Sequence, residues 1–228
     1  FDADGLTSYA GLELLQRFWR RIGFVGVLRD TVTRVLPRTD YGVGRLVMLL
    51  LAMLIVGGRR LRHLGHLRTD PMVARVCGLR AMPTSRSVSR WLASFNAAGV
   101  DALSRLNERI AADGVREAGP CRLTIDIDGS VVSTGLQVEG AERGFNPHHR
   151  KAPSYYPISA YEAQSGMVLR VANRPGNIHD GKASLPFLKE LFAQIDRTLA
   201  SNVEEYRMDG AFFRRDVLDL LDERGAEY

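Results

Sequence analysis

The feature that most constrains the fold is an eleven-residue stretch at positions 122–132, which reads RLTIDIDGSVV. Its β-branched residues alternate with polar ones at a period of two, which predicts a β-strand. Alternation places Asp126 and Asp128 together on one face of that strand, and Ile125 and Ile127 on the other. Two neighbouring carboxylates repel each other unless solvent covers them or a cation joins them. Rigidly held carboxylate oxygens are ligands for magnesium beside a phosphate, so the pattern favours a cation site, with a solvated face as the alternative.

Charge is divided unevenly along the chain. Residues 1–118 contain 18 arginines, no lysine and 10 acidic residues, whereas residues 119–228 contain 13 basic and 16 acidic residues. A basic front part is typical of a protein that binds a polyanion, and DNA is the commonest one. The sequence therefore predicts a basic, DNA-binding domain over 1–118 and a second domain over 119–228.

Cysteine content and hydropathy indicate the compartment. The two cysteines, Cys77 and Cys121, provide no disulfide framework, which is typical of a reducing environment. The longest apolar run, 46–56, has 11 residues, whereas a membrane-spanning helix needs about 20. With DNA as the expected partner, these features predict a cytoplasmic, nucleoid-associated protein that does not bind membranes.

The front part has helical periodicity and clear helix ends. Asp70-Pro71 starts one helix, which stops at Gly78, and Thr84-Ser85 starts the next. Two helices joined by a short turn are a candidate helix-turn-helix, although any helical bundle contains such pairs. The candidate DNA contacts here are arginines, for which a solvated helix face is the alternative: Arg59, Arg60, Arg62, Arg86 and Arg90. Residues 111–120, with two glycines and a proline, are interpreted as a linker.

After the linker the periodicity changes from helix to strand. Strands are predicted at 122–128, with an extension through 131–132, and at 155–163, 167–172 and 205–209, with a fifth starting at 226. One helix follows Asp180 and another spans 213–223. Residues 139–154 are interpreted as a basic, turn-rich loop, in which Arg150 and Lys151 are candidate phosphate contacts. The order β-β-β-α-β-α-β predicts an α/β fold of the ribonuclease H type, with a mixed sheet, preceded by the all-α domain.

In this order the first and fourth strands are neighbours. Asp128 ends the first strand and Asp209 ends the fourth, so the two are expected to meet although they are 81 residues apart. Two carboxylates on neighbouring strands can bind a pair of magnesium ions about 4 Å apart and act on a phosphodiester. The alternative for Asp209 is an aspartate in a turn before glycine, which is common.

Four segments together carry a family resemblance. They are Ile125-Asp126-Ile127-Asp128-Gly129-Ser130, Gly144-Phe145-Asn146-Pro147, Arg174-Pro175-Gly176-Asn177-Ile178-His179-Asp180 and Arg207-Met208-Asp209-Gly210-Ala211-Phe212. In this order they resemble the DDE transposases of bacterial insertion sequences. The resemblance covers residues 122–228 well, and the helical part less diagnostically.

The resemblance implies metal-dependent DNA cleavage and strand transfer at terminal inverted repeats, with magnesium, for which manganese can substitute. By position, Asp128 matches the first carboxylate of the family and Asp209 the second, while Asp126 is an alternate or auxiliary ligand. The third carboxylate of the family is a glutamate on a helix after the fifth strand, beyond Tyr228. We therefore expect a truncated chain that is inactive by itself. Transposases of this kind act as synaptic complexes, which implies a homodimer bound to element ends and target DNA.

Two further interpretations remain open from the sequence. Asn177 and His179 are possible neighbours of the active site, or belong to a loop that closes onto a helix capped by Asp180. The whole chain is alternatively a helix-turn-helix regulator without catalysis, or a ribonuclease H-like nuclease without strand transfer, because a fold does not determine a reaction.

Overall fold

The computed structural model describes residues 6–134, 138–144, 146, 152–199 and 203–228, with the backbone alone at Lys182. The chain divides into two compact units, Phe1–Leu106 and Asn107–Tyr228. The prediction of functional domains at 1–118 and 119–228 stays a prediction.

The first unit is helical, as its periodicity predicts. Its helices are α1 (Leu12–Arg21), α2 (Phe24–Leu28), α3 (Val43–Ile55), α4 (Leu64–Leu67), α5 (Pro71–Cys77), α6 (Ser85–Ala93) and the first part of α7 (Ala97–Ala118). The side chain of Asp70 accepts hydrogen bonds from the first backbone N–H groups of α5, and Thr84 does the same for α6. These two residues therefore cap the helices that the sequence predicted to start there.

The expected linker over 111–120 is helical as far as Ala118, because α7 continues to that residue. Glycine suggested a flexible connection, since it weakens helices. The structure shows another role for Gly114, which lies against Met167 where a Cβ atom would come within 2.6 Å of the methyl carbon. Close packing on the second unit's core thus explains this glycine.

The second unit contains the mixed sheet that the element order predicted. Its elements are β1 (Leu123–Gly129), β2 (Val132–Ser133), β3 (Glu142–Arg143), β4 (Pro153–Tyr155), β5 (Ile158–Glu162), β6 (Met167–Ala172), α8 (Asp180–Thr198), β7 (Glu204–Met208) and α9 (Arg215–Arg224). The main sheet has the order β6-β5-β1-β7, with β1 antiparallel to β5 and parallel to β7. A parallel bridge joins Glu205 to Glu227, where the fifth strand was expected to begin. This is the arrangement of a ribonuclease H-like sheet.

Residues 139–154 are not only a loop. In their described part, β4 pairs with β2 on one side and with β3 on the other, in a second, three-stranded sheet of order β2-β4-β3. These strands have two or three residues each, and strands this short carry too little alternation to be recognised in a sequence.

The core of the second unit lies under one face of the main sheet. Ile125 and Ile127 are fully buried there, as the alternation in β1 predicts. Helices α8 and α9 cover them with leucines and valine at helical spacing, which are Leu188, Leu191, Val217 and Leu221. The opposite face of β1, which carries the two aspartates, is the more exposed one.

Candidate active site

Strand register brings the two predicted carboxylates together. Strands β1 and β7 are parallel, and Ile127 lies directly opposite Met208. The next residue along each strand is therefore Asp128 on one and Asp209 on the other. Neighbouring strands lie about 4.8 Å apart, so the carboxylates of these two exposed residues come within reach of one cation.

One position earlier, the same two strands carry an ion pair. Arg207 lies opposite Asp126 and donates two hydrogen bonds to its carboxylate, at 2.5 and 2.7 Å. These hydrogen bonds raise the pKa of the Arg207 guanidinium. Asp126 thus has its own counter-ion, whereas neither Asp128 nor Asp209 pairs with a basic side chain in the described part of the chain. The arrangement favours Asp128 over Asp126 as the metal ligand.

A short turn holds Asp209 in place. One carboxylate oxygen of Asp209 accepts a hydrogen bond from the Ala211 backbone N–H, at 2.9 Å. The turn that follows, Gly210–Phe212, is anchored by the Phe212 ring, which is 1% exposed. The second carboxylate oxygen of Asp209 remains available for a ligand, so capping and metal binding are compatible.

The donor set fits a hard divalent cation. Two carboxylates are the kind of hard oxygen ligands that magnesium and manganese prefer. Among the described residues, no group of three His, Cys, Asp or Glu side chains is placed to share a metal ion. The pair Asp128 and Asp209 is therefore an incomplete site within this part of the chain.

An open groove borders Asp209. It has a volume of about 550 Å³ and reaches from Asp209 to the exposed side chains of Phe213 and Tyr228. The end of β7 is therefore accessible and lies next to a partly apolar surface.

The segment from Arg174 to Asp180 contains buried residues that make structural contacts and exposed residues that face solvent. Asn177 and His179 are exposed, and His179 is the N-cap of α8, where its Nδ1 atom accepts from the Gly181 N–H at 3.2 Å. The interpretation of Asp180 as the cap is wrong, because Asp180 is the first residue inside the helix. Its carboxylate turns inward and contacts Arg174.

Sequence reasoning missed a buried network directly behind Asp128. Asp180 is 6% exposed at its side chain and pairs with Arg174, which is 7% exposed, at 2.5 Å. The hydroxyl group of Tyr156 donates a second hydrogen bond to the same carboxylate. Burial and then this hydrogen bond raise the pKa of Tyr156, and the negative charge of Asp128 contributes in the same direction. A signal was present, since Arg174 and Asp180 belong to one of the resemblance segments.

The glycines of these segments allow close backbone packing. A Cβ atom on Gly176 would lie 2.6 Å from the Ser154 carbonyl oxygen and 2.7 Å from that of Glu142. The side chain of Asn146, 4% exposed, donates to the Ser133 hydroxyl at 2.8 Å. The small sheet and the loop before α8 therefore pack closely against each other.

The predicted basic contacts in the first unit are available to a partner. All five candidate arginines are exposed and pair with no described carboxylate; they are Arg59, Arg60, Arg62, Arg86 and Arg90. The two on α6 lie opposite Val88 and Trp91, which are buried. The indole N–H of Trp91 donates to the Pro37 carbonyl at 2.8 Å, which fixes the orientation of α6 in its unit. Arg150 and Lys151 lie outside the described residues.

None of the helices in the described ranges combines the length and the apolar character that a bilayer crossing requires.

The order and directions of β6, β5, β1 and β7 define a ribonuclease H-like fold, with Asp128 and Asp209 at neighbouring strand ends. The model of one family, transposase DDE domain group 1, matches residues 1–228, and the chain belongs to this family. A search of curated proteins finds no match.

Similar solved structures include a Mos1 transposase paired-end complex with the left transposon end, which is 12% identical. This chain aligns over 84% of its own length and 59% of that chain, with a TM-score of 0.35. A Mos1 mariner paired-end complex with Mn is 14% identical, over 94% and 66% of the two chains, with a TM-score of 0.34. The chain thus spans about three-fifths of the length of these structures.

Proposed function

We propose that this chain carries the first two carboxylates, Asp128 and Asp209, of a transposase active site that cleaves and joins DNA at the ends of an insertion sequence. The observation that carries the proposal is the parallel register of β1 and β7, which sets these residues side by side. Membership of the transposase family supports the assignment of the reaction.

Asp128 and Asp209 are the residues that would hold the divalent metal, Mg²⁺ or Mn²⁺, with Asp126 at most auxiliary. When bound, such a metal activates a water or a 3′-hydroxyl and stabilises the leaving oxygen of a phosphodiester. The protein's own contribution is to hold two oxygen ligands at neighbouring strand ends, while Arg207 neutralises Asp126. Because no group of three His, Cys, Asp or Glu side chains in the described ranges is placed to share a metal ion, we expect weak cation binding and no cleavage by this chain alone.

DNA is the proposed partner of the first unit, both as terminal inverted repeats and as target, in a homodimeric synaptic complex. Helix α6 would supply Arg86 and Arg90 as contacts, and Arg59, Arg60 and Arg62 would neutralise phosphates. Contacts of this kind make the affinity fall steeply with salt. Replacing one phosphate-binding arginine by alanine should reduce the steepness of log K against log salt by about 1.

The test compares the chain with its Asp128→Asn/Asp209→Asn double variant. Manganese binding, followed by electron paramagnetic resonance, should weaken by at least about tenfold, whereas DNA binding by fluorescence anisotropy should stay within about twofold. Asp196→Asn is the matched control, because Asp196 is an exposed carboxylate on α8.

Equal manganese binding by the chain and its double variant would contradict the metal site. Retained DNA binding would then favour the second candidate function, a helix-turn-helix regulator, which the exposed arginines of α6 support. Arg86→Ala/Arg90→Ala should weaken DNA binding under either function, and unchanged affinity would remove α6 from the interface.

A further inference from the structure

A buried carboxylate lies at the point where the two strand ends of the candidate site converge. Asp180 begins α8 and is almost completely enclosed. Arg174 supplies its counter-ion and also donates from Nε to the Tyr156 carbonyl, at 3.0 Å. The backbone N–H of Tyr156 in turn donates to the Arg174 carbonyl, at 2.7 Å. These three residues therefore form a closed set of bonds around one carboxylate.

The first contact of this set is with the backbone that follows Asp128. A Cβ atom on Gly129 would lie 2.7 Å from the Asp180 Oδ1 atom and 2.9 Å from the Tyr156 ring. The end of β1 thus rests directly on the Asp180 carboxylate and the Tyr156 ring. This contact connects the Asp180 carboxylate to Gly129, the residue that directly follows Asp128.

The second contact is with the backbone that follows Asp209. A Cβ atom on Gly181 would lie 3.0 Å from the Ala211 carbonyl oxygen and would also overlap the Arg214 side chain. Ala211 is the residue whose N–H fixes the Asp209 carboxylate. Two successive residues of α8 therefore touch the two strand ends, one each.

We propose that Asp180, held by Arg174 and Tyr156, is a positioning residue that sets the separation of the Asp128 and Asp209 carboxylates. The inference rests on the proposed function for its consequence, although the contacts themselves do not depend on it. The first turn of α8 is a spacer between the two strand ends. A carboxylate serves here because its charge compensates Arg174 and its two oxygens accept from both Arg174 and Tyr156 at once.

The experiment uses the 228-residue chain and two independent readouts. Hydrogen exchange of residues 127–131 and 209–213 reports the order of the strand ends without metal. Manganese binding reports the spacing of the carboxylates. Asp180→Asn should speed exchange about tenfold in both segments and weaken manganese binding by about 10- to 100-fold. Exchange in the centres of α8 and β1 should stay unchanged.

Milder variants separate positioning from loss of the fold. Tyr156→Phe removes one hydroxyl and should change exchange in the same direction at 127–131, by a smaller factor. Gly181→Ala should act first on 209–213, and it should weaken manganese binding even though alanine favours a helix. Asp196→Asn, an exposed carboxylate of the same helix, should change neither readout.

The outcomes distinguish the inference from the function on which it rests. If Asp180→Asn shows the same hydrogen exchange and manganese binding as the wild type, the positioning role is overturned. If Asp180→Asn unfolds, the same result in both Tyr156→Phe and Gly181→Ala overturns it. Manganese binding that is absent from the wild type would instead contradict the proposed metal site. In that case faster exchange at both strand ends in the variants would still support the spacer, and unchanged exchange would overturn it.

Discussion

The exposed carboxylates on the sheet and the buried carboxylate of α8 meet opposite electrostatic conditions within one unit. Asp128 and Asp209 lie in solvent without a counter-ion in the described chain, whereas Asp180 is enclosed and paired with Arg174. Solvent screens the first pair, so two like charges can remain together at little cost. In the interior the same charge requires a partner and full hydrogen bonding. The comparison shows that Asp128 and Asp209, which are open to a ligand, lie where water stabilises their charge. The buried Asp180, whose charge Arg174 compensates, holds neighbouring backbone segments in place.

The largest expected effect comes from removing the buried counter-ion. Arg174→Ala leaves Asp180 enclosed without its cation, which should lower the free energy of unfolding by about 3–5 kcal/mol. Urea unfolding followed by circular dichroism measures this loss. Arg197→Ala is the control, because the Arg197 side chain is 60% exposed in its ion pair with Glu108 and its removal should change stability far less. Similar losses in both variants would contradict the distinction between buried and exposed pairs.

A methyl group at the contact between the two regions should have the next largest effect. Gly129→Ala places a Cβ atom against Asp180 and Tyr156, which should cost about 1–3 kcal/mol of unfolding free energy. Gly26→Ala is the matched control, since a Cβ atom at Gly26 meets nothing within 4 Å. Stability equal to that of the control would show that the end of β1 is not packed on α8.

A smaller effect is expected at Tyr156, and it depends on pH. Tyrosine has a pKa near 10 in an unfolded chain, and burial with the bond to Asp180 raises it in the folded one. The hydrogen bond from Tyr156 contributes about 1 kcal/mol to the free energy of unfolding. This contribution is present below pH 10 and is lost as the pH rises towards the pKa of Tyr156 in the folded chain. Tyr156→Phe should therefore unfold with a shallower alkaline dependence between pH 9 and 11 than wild type. Parallel pH profiles would argue against a raised pKa at this tyrosine.

The smallest effect on stability is expected at the exposed ion pair. Asp126→Asn removes a carboxylate that Arg207 neutralises in solvent, and exposed pairs contribute little to folding. The urea midpoint should shift only slightly, and manganese binding should remain within about threefold of wild type. Loss of manganese binding as large as that in Asp128→Asn would make Asp126 a primary ligand and overturn the assignment drawn from the ion pair.

Local pattern was sufficient for much of the fold. The alternation in β1 predicted which isoleucines are buried, and Asp70 and Thr84 marked the starts of α5 and α6. Both signals depend on residues within one strand or one helical turn. The small sheet escaped prediction because its strands are too short for alternation, and Gly114 suggested a linker because its packing partner, Met167, is distant in the chain.

The sequence by itself determined the order of elements and the pairing of Asp128 with Asp209, because hydrophobic periodicity specifies strands and crossover rules specify their neighbours. Only the tertiary structure showed that Asp126 has a counter-ion, since Arg207 lies 81 positions away and reaches Asp126 through the strand register. The tertiary structure also showed that Asp180 lies inside the first turn of α8 and is buried, whereas the sequence pattern indicated a helix cap. Burial converts that carboxylate into a structural group, and burial depends on contacts that no local pattern contains.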